Sequence, residues 1–540
     1  MTLNKYEPVS INYTKYYCAI FLILGICLRL FHYFYNRSLW MDEVYLSSSL
    51  IKMDYAELAT LPLDFQQKAP IGFLWIVRFM VNLFGSNEMA LRLWSLLCGI
   101  ASLFVFIPIA KFFLQPKGLI LGLGILALAP PLIFHSVEIK QYQTEMLATL
   151  LVLYAYVKYQ SSYTYKSLII WGALGSIIVW FSYSSIFILA GIGAGLTFLN
   201  LNRRKWEIAL KQCIPFGIWL VSFVINYFLF THKHAESKWI VYWFDFYHNF
   251  MPLPPRSIAD IKWYTTNFYS MIDYPLGLLW KFYKGDMMLL KILFKIPFLP
   301  VICLVAGIFF FYKRKKELLI LGFPFLFLFI ASGLKLYPLT ERFWVFISPI
   351  LILFVANGYS KLSDQLNATI IRLGFAFLLL IGPLYSDIML LVYPQEFFMH
   401  KKSFQRQALN YVNERFQPGD AVYVYWNDLP GFKVYERIVP LKFKAVQGAD
   451  YRYSSVSFDD YLKKLKIDFR LSKNTKRIWF IYNDHYQTDI GDKIDEPSWY
   501  YLKGKNPMDR TLNYWSTLGL RNDVFKSFDV KISLVVFKTQ

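Results

Sequence analysis

Long apolar runs alternate with short polar breaks through the first three quarters of the chain. A bilayer crossing needs roughly 20 mostly apolar residues, and about eleven runs meet that requirement. They cover residues 17–35, 89–112, 118–135, 143–160, 166–182, 184–201, 208–230, 287–312, 317–334, 342–360 and 367–392. The run Pro70–Phe84 is shorter and carries Arg78, which predicts an amphipathic helix lying in the membrane interface. Beyond residue 393 the apolar stretches shrink to strand length, at 421–426, 477–482 and 532–537. A helical pattern over 403–416 precedes them and stops at the turn Gln417-Pro418-Gly419-Asp420. The predicted fold class is a polytopic α-helical membrane protein with a C-terminal extramembrane α/β domain. Residues 1–393 form the membrane part, with outer loops 36–88 and 231–286, and residues 394–540 form the α/β domain.

Charge fixes the orientation. Lys111 with Lys117, Lys158 with Lys166, Arg203-Arg204-Lys205, Lys313-Arg314-Lys315-Lys316 and Lys361 fall in alternate loops, on the side of Lys5 and Lys15. Cationic loops stay cytoplasmic, so the N-terminus is inside, and the α/β domain lies outside with residues 36–88. The first apolar run has no small-residue cleavage site after it and reads as a span. The 540 residues are 56% hydrophobic and only 17% charged, more apolar than a soluble core requires. A net charge of +21 is then the positive-inside signal rather than a nucleic-acid surface. Cys18, Cys27, Cys98, Cys213 and Cys303 lie inside apolar runs, without metal-type spacing or a disulfide framework.

Four polar clusters meet on the outer side: Asp42-Glu43 after the first span, Gln67-Lys68-Ala69-Pro70, the stretch His135 to Tyr142, and Lys335 to Arg342. Taken singly, each reads as solvated loop charge. Their meeting on one face predicts a chamber holding carboxylates beside fixed cations.

These segments resemble the GT-C class of membrane glycosyltransferases, in the branch of the protein O-mannosyltransferases and lipid A aminoarabinose transferases. The resemblance rests on SLWMDE at 38–43, QKAP with the following apolar helix ending FG at 67–85, and NEMALRLWSLLCGI at 87–100. It continues through Ser136, Glu138, Lys140 and Tyr142, and from Tyr337-Pro338 through Arg342 to Pro349. FMPLPP at 250–255, with Asp260 and Trp263, resembles the long outer loop of bacterial members. Lys140 stands where relatives usually carry Arg, and Lys68-Ala69-Pro70 replaces the common Lys-Pro-Pro. A lysine there is a point charge without a bidentate grip.

The resemblance implies transfer of a sugar from a polyprenyl-phosphate donor to a hydroxyl of a protein, lipid or glycan on the outer face of the membrane, with inversion. Such chemistry needs a base for the hydroxyl, cations for the leaving phosphate, and groups that orient the sugar. Asp42 is the expected base, with Glu43 and Glu138 as further acids. Lys68, Arg342 and Lys140 are expected at the donor phosphate, and Tyr142 and Tyr337 as substrate-orienting hydroxyls. Adjacent Asp42 and Glu43 leave a two-step retaining route open.

No cofactor is expected and no metal site: the basic triplet His232-Lys233-His234, with His248 and Asp245, reads as a surface feature, and the lysine and arginine already supply charge. The aromatics Trp239, Tyr242, Trp243, Phe244, Phe246 and Tyr247 read as an interfacial belt, or a lid over the lipid carrier. The expected partners are the bilayer, the lipid-linked donor and the hydroxyl acceptor, without nucleic acid. A flippase of lipid-linked sugars is the rival reading, but it predicts ionisable groups at mid-membrane and repeated halves. A scaffold for a glycan-assembly complex is the third.

Overall fold

The computed structural model describes residues 7–232, 238–280, 298–397, 401–468, 475–484, 497, 499–500, 507–517 and 519–537. Each expected span meets a helix. Seven described helices are long and apolar enough to cross a membrane, and the bent pair Pro116–Leu128 and Pro130–Ser136 makes an eighth. The expected crossings at 166–182 and 287–312 appear as the shorter helices Tyr165–Phe181 and Phe298–Tyr312, the latter run beginning outside the described residues. The expected crossing at 143–160 coincides with the helix Tyr142–Tyr159, which buries Gln143, Thr144, Glu145 and Thr149 and is not among the helices apolar enough to count as spans. The protein is therefore an integral membrane protein by the length and composition of its helices. The helix that follows Arg342 runs through the middle of the bundle and is almost wholly buried.

The bent pair shows how the chain builds the site. Pro130 and Pro131 bring no N–H to the carbonyls of Leu126 and Ala127, so the helix breaks there and turns by 56°. Two orphaned carbonyls deep in an apolar bundle need donors. Arg29 supplies both, reaching Leu126 O at 3.0 Å and Ala127 O at 3.1 Å from the first helix, fully buried. This charge within the first apolar run is thus bound to the kink it serves, and the turn 137–141 beyond it is folded into the protein.

Helix Ile71–Phe84 is too short to be counted among the crossing helices, as expected. It buries Phe73, Leu74, Val77 and Val81 and exposes the apolar side chains Trp75, Phe79 and Leu83. Its Arg78 donates to the carbonyls of Leu50 and Ile51 at 3.0 and 2.8 Å, closing the C-terminal end of the helix Met41–Lys52. The small hydroxyls after the acids also have a structural use: Ser49 accepts from the Asp64 amide and Ser48 donates to its carboxylate.

The C-terminal sheet has the order β2-β1-β3-β5-β4, where β1 is Asp420–Val424, β2 Ala445–Gln447, β3 Arg477–Asn483, β4 Gly519–Lys526 and β5 Val530–Phe537. β1 pairs in parallel with β2 and β3, through the crossover helices Leu429–Ile438 and Phe458–Asp468, and β5 pairs antiparallel with β3 and β4. The helix Gln405–Arg415 and three of the strands lie where the sequence predicts them.

Arg29→Leu strands two buried carbonyls and is expected to cost roughly 2 kcal/mol or more. Thermal unfolding in detergent measures the loss, which Arg29→Lys recovers only in part.

Candidate active site

Residues 36–43 enter the site as a strap. The helix Met41–Lys52 begins directly after Trp40 and carries both acids in its first turn, which aims Asp42 and Glu43 in different directions. Glu43 is fully buried. Arg92 grips it with two bonds, Nε to Oε1 at 3.0 Å and Nη2 to Oε2 at 2.8 Å. Arg37 adds a bond at 2.9 Å and the amide of Ile139 another at 3.1 Å. With these donors the carboxylate has no lone pair left for a substrate. Glu43, expected among the catalytic acids, is instead an anchor joining the strap, the helix Glu88–Phe113 and the turn 137–141.

Asp42 faces the other way and pairs directly with Arg342, across 300 residues of sequence. Both side chains are about one quarter exposed, at 23% and 25%, so the pair sits at an opening. Arg342 opens a short helical turn, Glu341–Ile347, that leads into the central buried helix. Burial alone would raise the Asp42 carboxyl, but Arg342 and Lys140 outweigh it and hold the group at about 2.

Behind the pair lies a buried layer. Glu138 accepts from His135 Nδ1 at 2.7 Å and from Trp40 Nε1 at 3.1 Å. Burial would raise it too, yet His135, Lys401 and Arg37 bring it to about 2. The other imidazole nitrogen meets the hydroxyl of Tyr274. Burial and the nearby Glu138 and Glu341 push that phenol well up, so it stays protonated. Burial pushes the His135 imidazole down and keeps it neutral, so with Glu138 ionised Nδ1 donates and Nε2 accepts from Tyr274. Lys140 donates to Gln67 at 2.5 Å and feels the Asp42 charge, and burial pushes its ammonium down. Tyr142 lies under Arg342, with the guanidinium 5.7 Å from its ring centre.

Asp42, Glu138, Lys140, Tyr142 and Arg342 therefore come together. Lys68 follows Gln67, the partner of Lys140; it is half-buried, with its ammonium pushed down by burial, and makes no ion pair among the described residues. Tyr337 points its hydroxyl at the Phe343 carbonyl, 3.3 Å away, and packs among Phe187, Phe343 and Phe346. A cavity of about 1250 Å³ opens beside the pair, walled by Tyr274, Glu341, Trp263, Asp245 and Tyr385, and Asp42, Glu138, Lys68 and Arg342 are not in its lining. Phe244, from the aromatic helix Lys238–Phe246, packs edge-on against Phe343 and brings that helix to the arginine's neighbour.

Sequence reasoning missed Arg37, Arg92, Tyr274 and Lys401. Arg92 carried a signal, as a lone charge one turn inside an apolar helix; Lys401 sits beside Lys402 and resembles ordinary surface charge. No three His, Cys, Asp or Glu side chains group around a metal-sized space among the described residues. Lys233 and His234 of the basic triplet, and the side chain of Trp239, lie outside the described residues.

The same arrangement of helices and sheet occurs in ArnT from Cupriavidus metallidurans. Its apo crystal structure superposes with a TM-score of 0.55 at 13% identity, covering 95% of this chain and 97% of that one. Its structure bound to undecaprenyl phosphate gives 0.52 at 13% identity, covering 97% and 98%. This is a GT-C fold. Residues 68–232 also match the family described as dolichyl-phosphate-mannose-protein mannosyltransferase, which makes that segment similar to membrane glycosyltransferases. No curated protein matches the chain in sequence.

Glu43→Gln leaves two arginines facing a neutral amide in a buried site, and the expected loss of stability is about 3–5 kcal/mol. Chemical unfolding in detergent reads it, and an unchanged midpoint would show that Glu43 anchors nothing.

Proposed function

We propose that the protein transfers a sugar from a polyprenyl-phosphate donor to a hydroxyl of a protein, lipid or glycan on the non-cytoplasmic side of the membrane. The observation that carries this reading is the Asp42–Arg342 pair at the mouth of a charged, buried layer within a GT-C fold. Around it stand Arg37, Arg92, Lys140, Arg342 and Lys401 against Asp42, Glu43, Glu138 and Glu341, which leaves one positive charge in excess. A phosphodiester carries one negative charge and completes the balance. The alternating cationic loops support the outer orientation.

A carboxylate held at about 2 by a guanidinium is a poor base for a hydroxyl whose pKa is about 16. The donor resolves this conflict. Its phosphate competes for Arg342, and as the guanidinium moves to the phosphate the carboxylate loses its partner and gains basicity. The acceptor oxygen then forms its bond to the anomeric carbon, the carbon–phosphate oxygen bond breaks, the electron pair stays on the phosphate, and Asp42 takes the proton. Arg342 and Lys140 stabilise the departing charge, with Lys68 at the approach, and Tyr142 orients the sugar. No cofactor takes part, because these side chains supply the cations. Single displacement with inversion fits, since Glu43 is saturated and Glu138 is held by His135 and Trp40, so neither is free to form a glycosyl intermediate.

The order of events is testable. Donor must bind before acceptor, and Asp42→Asn lowers transfer by about 10²–10⁴-fold while carrier binding persists. Mass spectrometry of lipid-linked sugars and outer-face glycans, with wild type and variant, follows the loss. Full transfer by Asp42→Asn, or random-order kinetics, contradicts the mechanism.

A further inference from the structure

Lys401 lies between the last membrane helix, Thr369–Val392, and the sheet domain, and its side chain is only 4% exposed. Its ammonium pairs with Glu341 at 3.1 Å. The same group lies 5.8 Å from the ring centre of Trp40, 5.8 Å from that of Phe134 and 5.3 Å from that of Tyr274. A desolvated ammonium over aromatic faces is attracted by each ring quadrupole. The identity of two of these neighbours matters. Glu341 directly precedes Arg342, and Trp40 is the residue from which the helix bearing Asp42 starts. One buried cation therefore touches both arms of the Asp42–Arg342 pair.

The acid arm has further ties to the same domain. Arg406 donates to the Asn36 carbonyl and, at 2.8 Å, to Glu88 at the start of the neighbouring helix; Ser38 donates to Gln407 at 2.6 Å, and the Leu39 amide donates to the Tyr435 hydroxyl at 2.7 Å. Leu39, Val44 and Leu46 share one apolar cluster with Leu409, Phe432 and Tyr435. Phe397, at the end of the membrane part, stacks on His32 and meets Phe134 edge-on.

We propose that the sheet domain completes the transfer site, with Lys401 as the positioning residue that sets Asp42 against Arg342. Lys401 bonds Glu341 and lies over Trp40, the residues next to the two arms of the reacting pair. It acts through Trp40 and Glu341, so its loss frees the two arms together and leaves Arg342 misplaced for an incoming phosphate. The effect on carrier binding rests on the function proposed above; the mechanical tie does not.

Full-length protein in nanodiscs provides the test, with Lys401→Met, Lys401→Arg, Arg342→Gln and the Lys401→Met/Arg342→Gln double variant. Amide hydrogen exchange reports the tie, and undecaprenyl phosphate affinity reports its consequence. Lys401→Met is expected to speed exchange in both 36–43 and 341–345 by about tenfold and to weaken carrier affinity by about tenfold. Lys401→Arg restores most of both, and the double variant binds the carrier no worse than Arg342→Gln alone. Exchange that rises in only one segment, or affinity losses that simply multiply in the double variant, overturns the proposal. Faster exchange in both segments of a protein whose wild type has no affinity for undecaprenyl phosphate would sink the transferase reading and leave the tie standing.

Discussion

A carboxylate sealed from water between two arginines has no tolerance for a missing partner, and Glu43 is in that position. Its two oxygens are satisfied only when Arg37 of the strap, Arg92 of the helix Glu88–Phe113 and the amide of Ile139 arrive together. Those groups come from three separate stretches of chain. The first turn of a helix sends adjacent side chains apart by roughly 100°, so fixing Glu43 inward turns Asp42 outward, toward Arg342. The kink at Pro130 and Pro131 serves the same end from below, because it brings His135, Glu138 and Ile139 up beneath the strap, and Arg29 makes that kink tolerable.

Two neighbouring acids thus take opposite roles. One is saturated and holds the architecture. The other stays at the opening in an ion pair that an incoming anion can contest. In the proposed mechanism the base parked against a guanidinium is protected from useless proton transfer and becomes basic only when a phosphate draws the guanidinium away. The rate in that proposed mechanism depends on the strap being held still, which is where the sheet domain enters, through its bonds to residues 36–39 and the Lys401 bridge to Glu341.

Much of this was legible in the sequence. Crossing helices leave a mark because lipid accepts little else than apolar side chains over that length, and Asp42, Glu138, Lys140 and Arg342 stood out as charges at the ends of such runs. The split between Asp42 and Glu43 was not legible, since two acids in a first helical turn look alike until residues 49 and 96 positions away decide which is enclosed. Lys401 gave no sign because its burial comes from Trp40, Phe134 and Tyr274, all distant in sequence. Strand β2 is three residues long, and β4, with the sequence GLRNDVFK, is polar because it lies at the sheet edge, so neither shows an apolar pattern. Lys68 and Tyr337 were expected from their motifs, and their placement depends on tertiary packing that motif spacing does not encode.

The central claim is that a carrier phosphate separates Asp42 from Arg342. An electron cryomicroscopy structure of the protein with undecaprenyl phosphate tests it directly. The account predicts the guanidinium of Arg342 on a phosphate oxygen and Asp42 released toward the opening; a bound phosphate elsewhere, with the Asp42–Arg342 pair still closed, contradicts it.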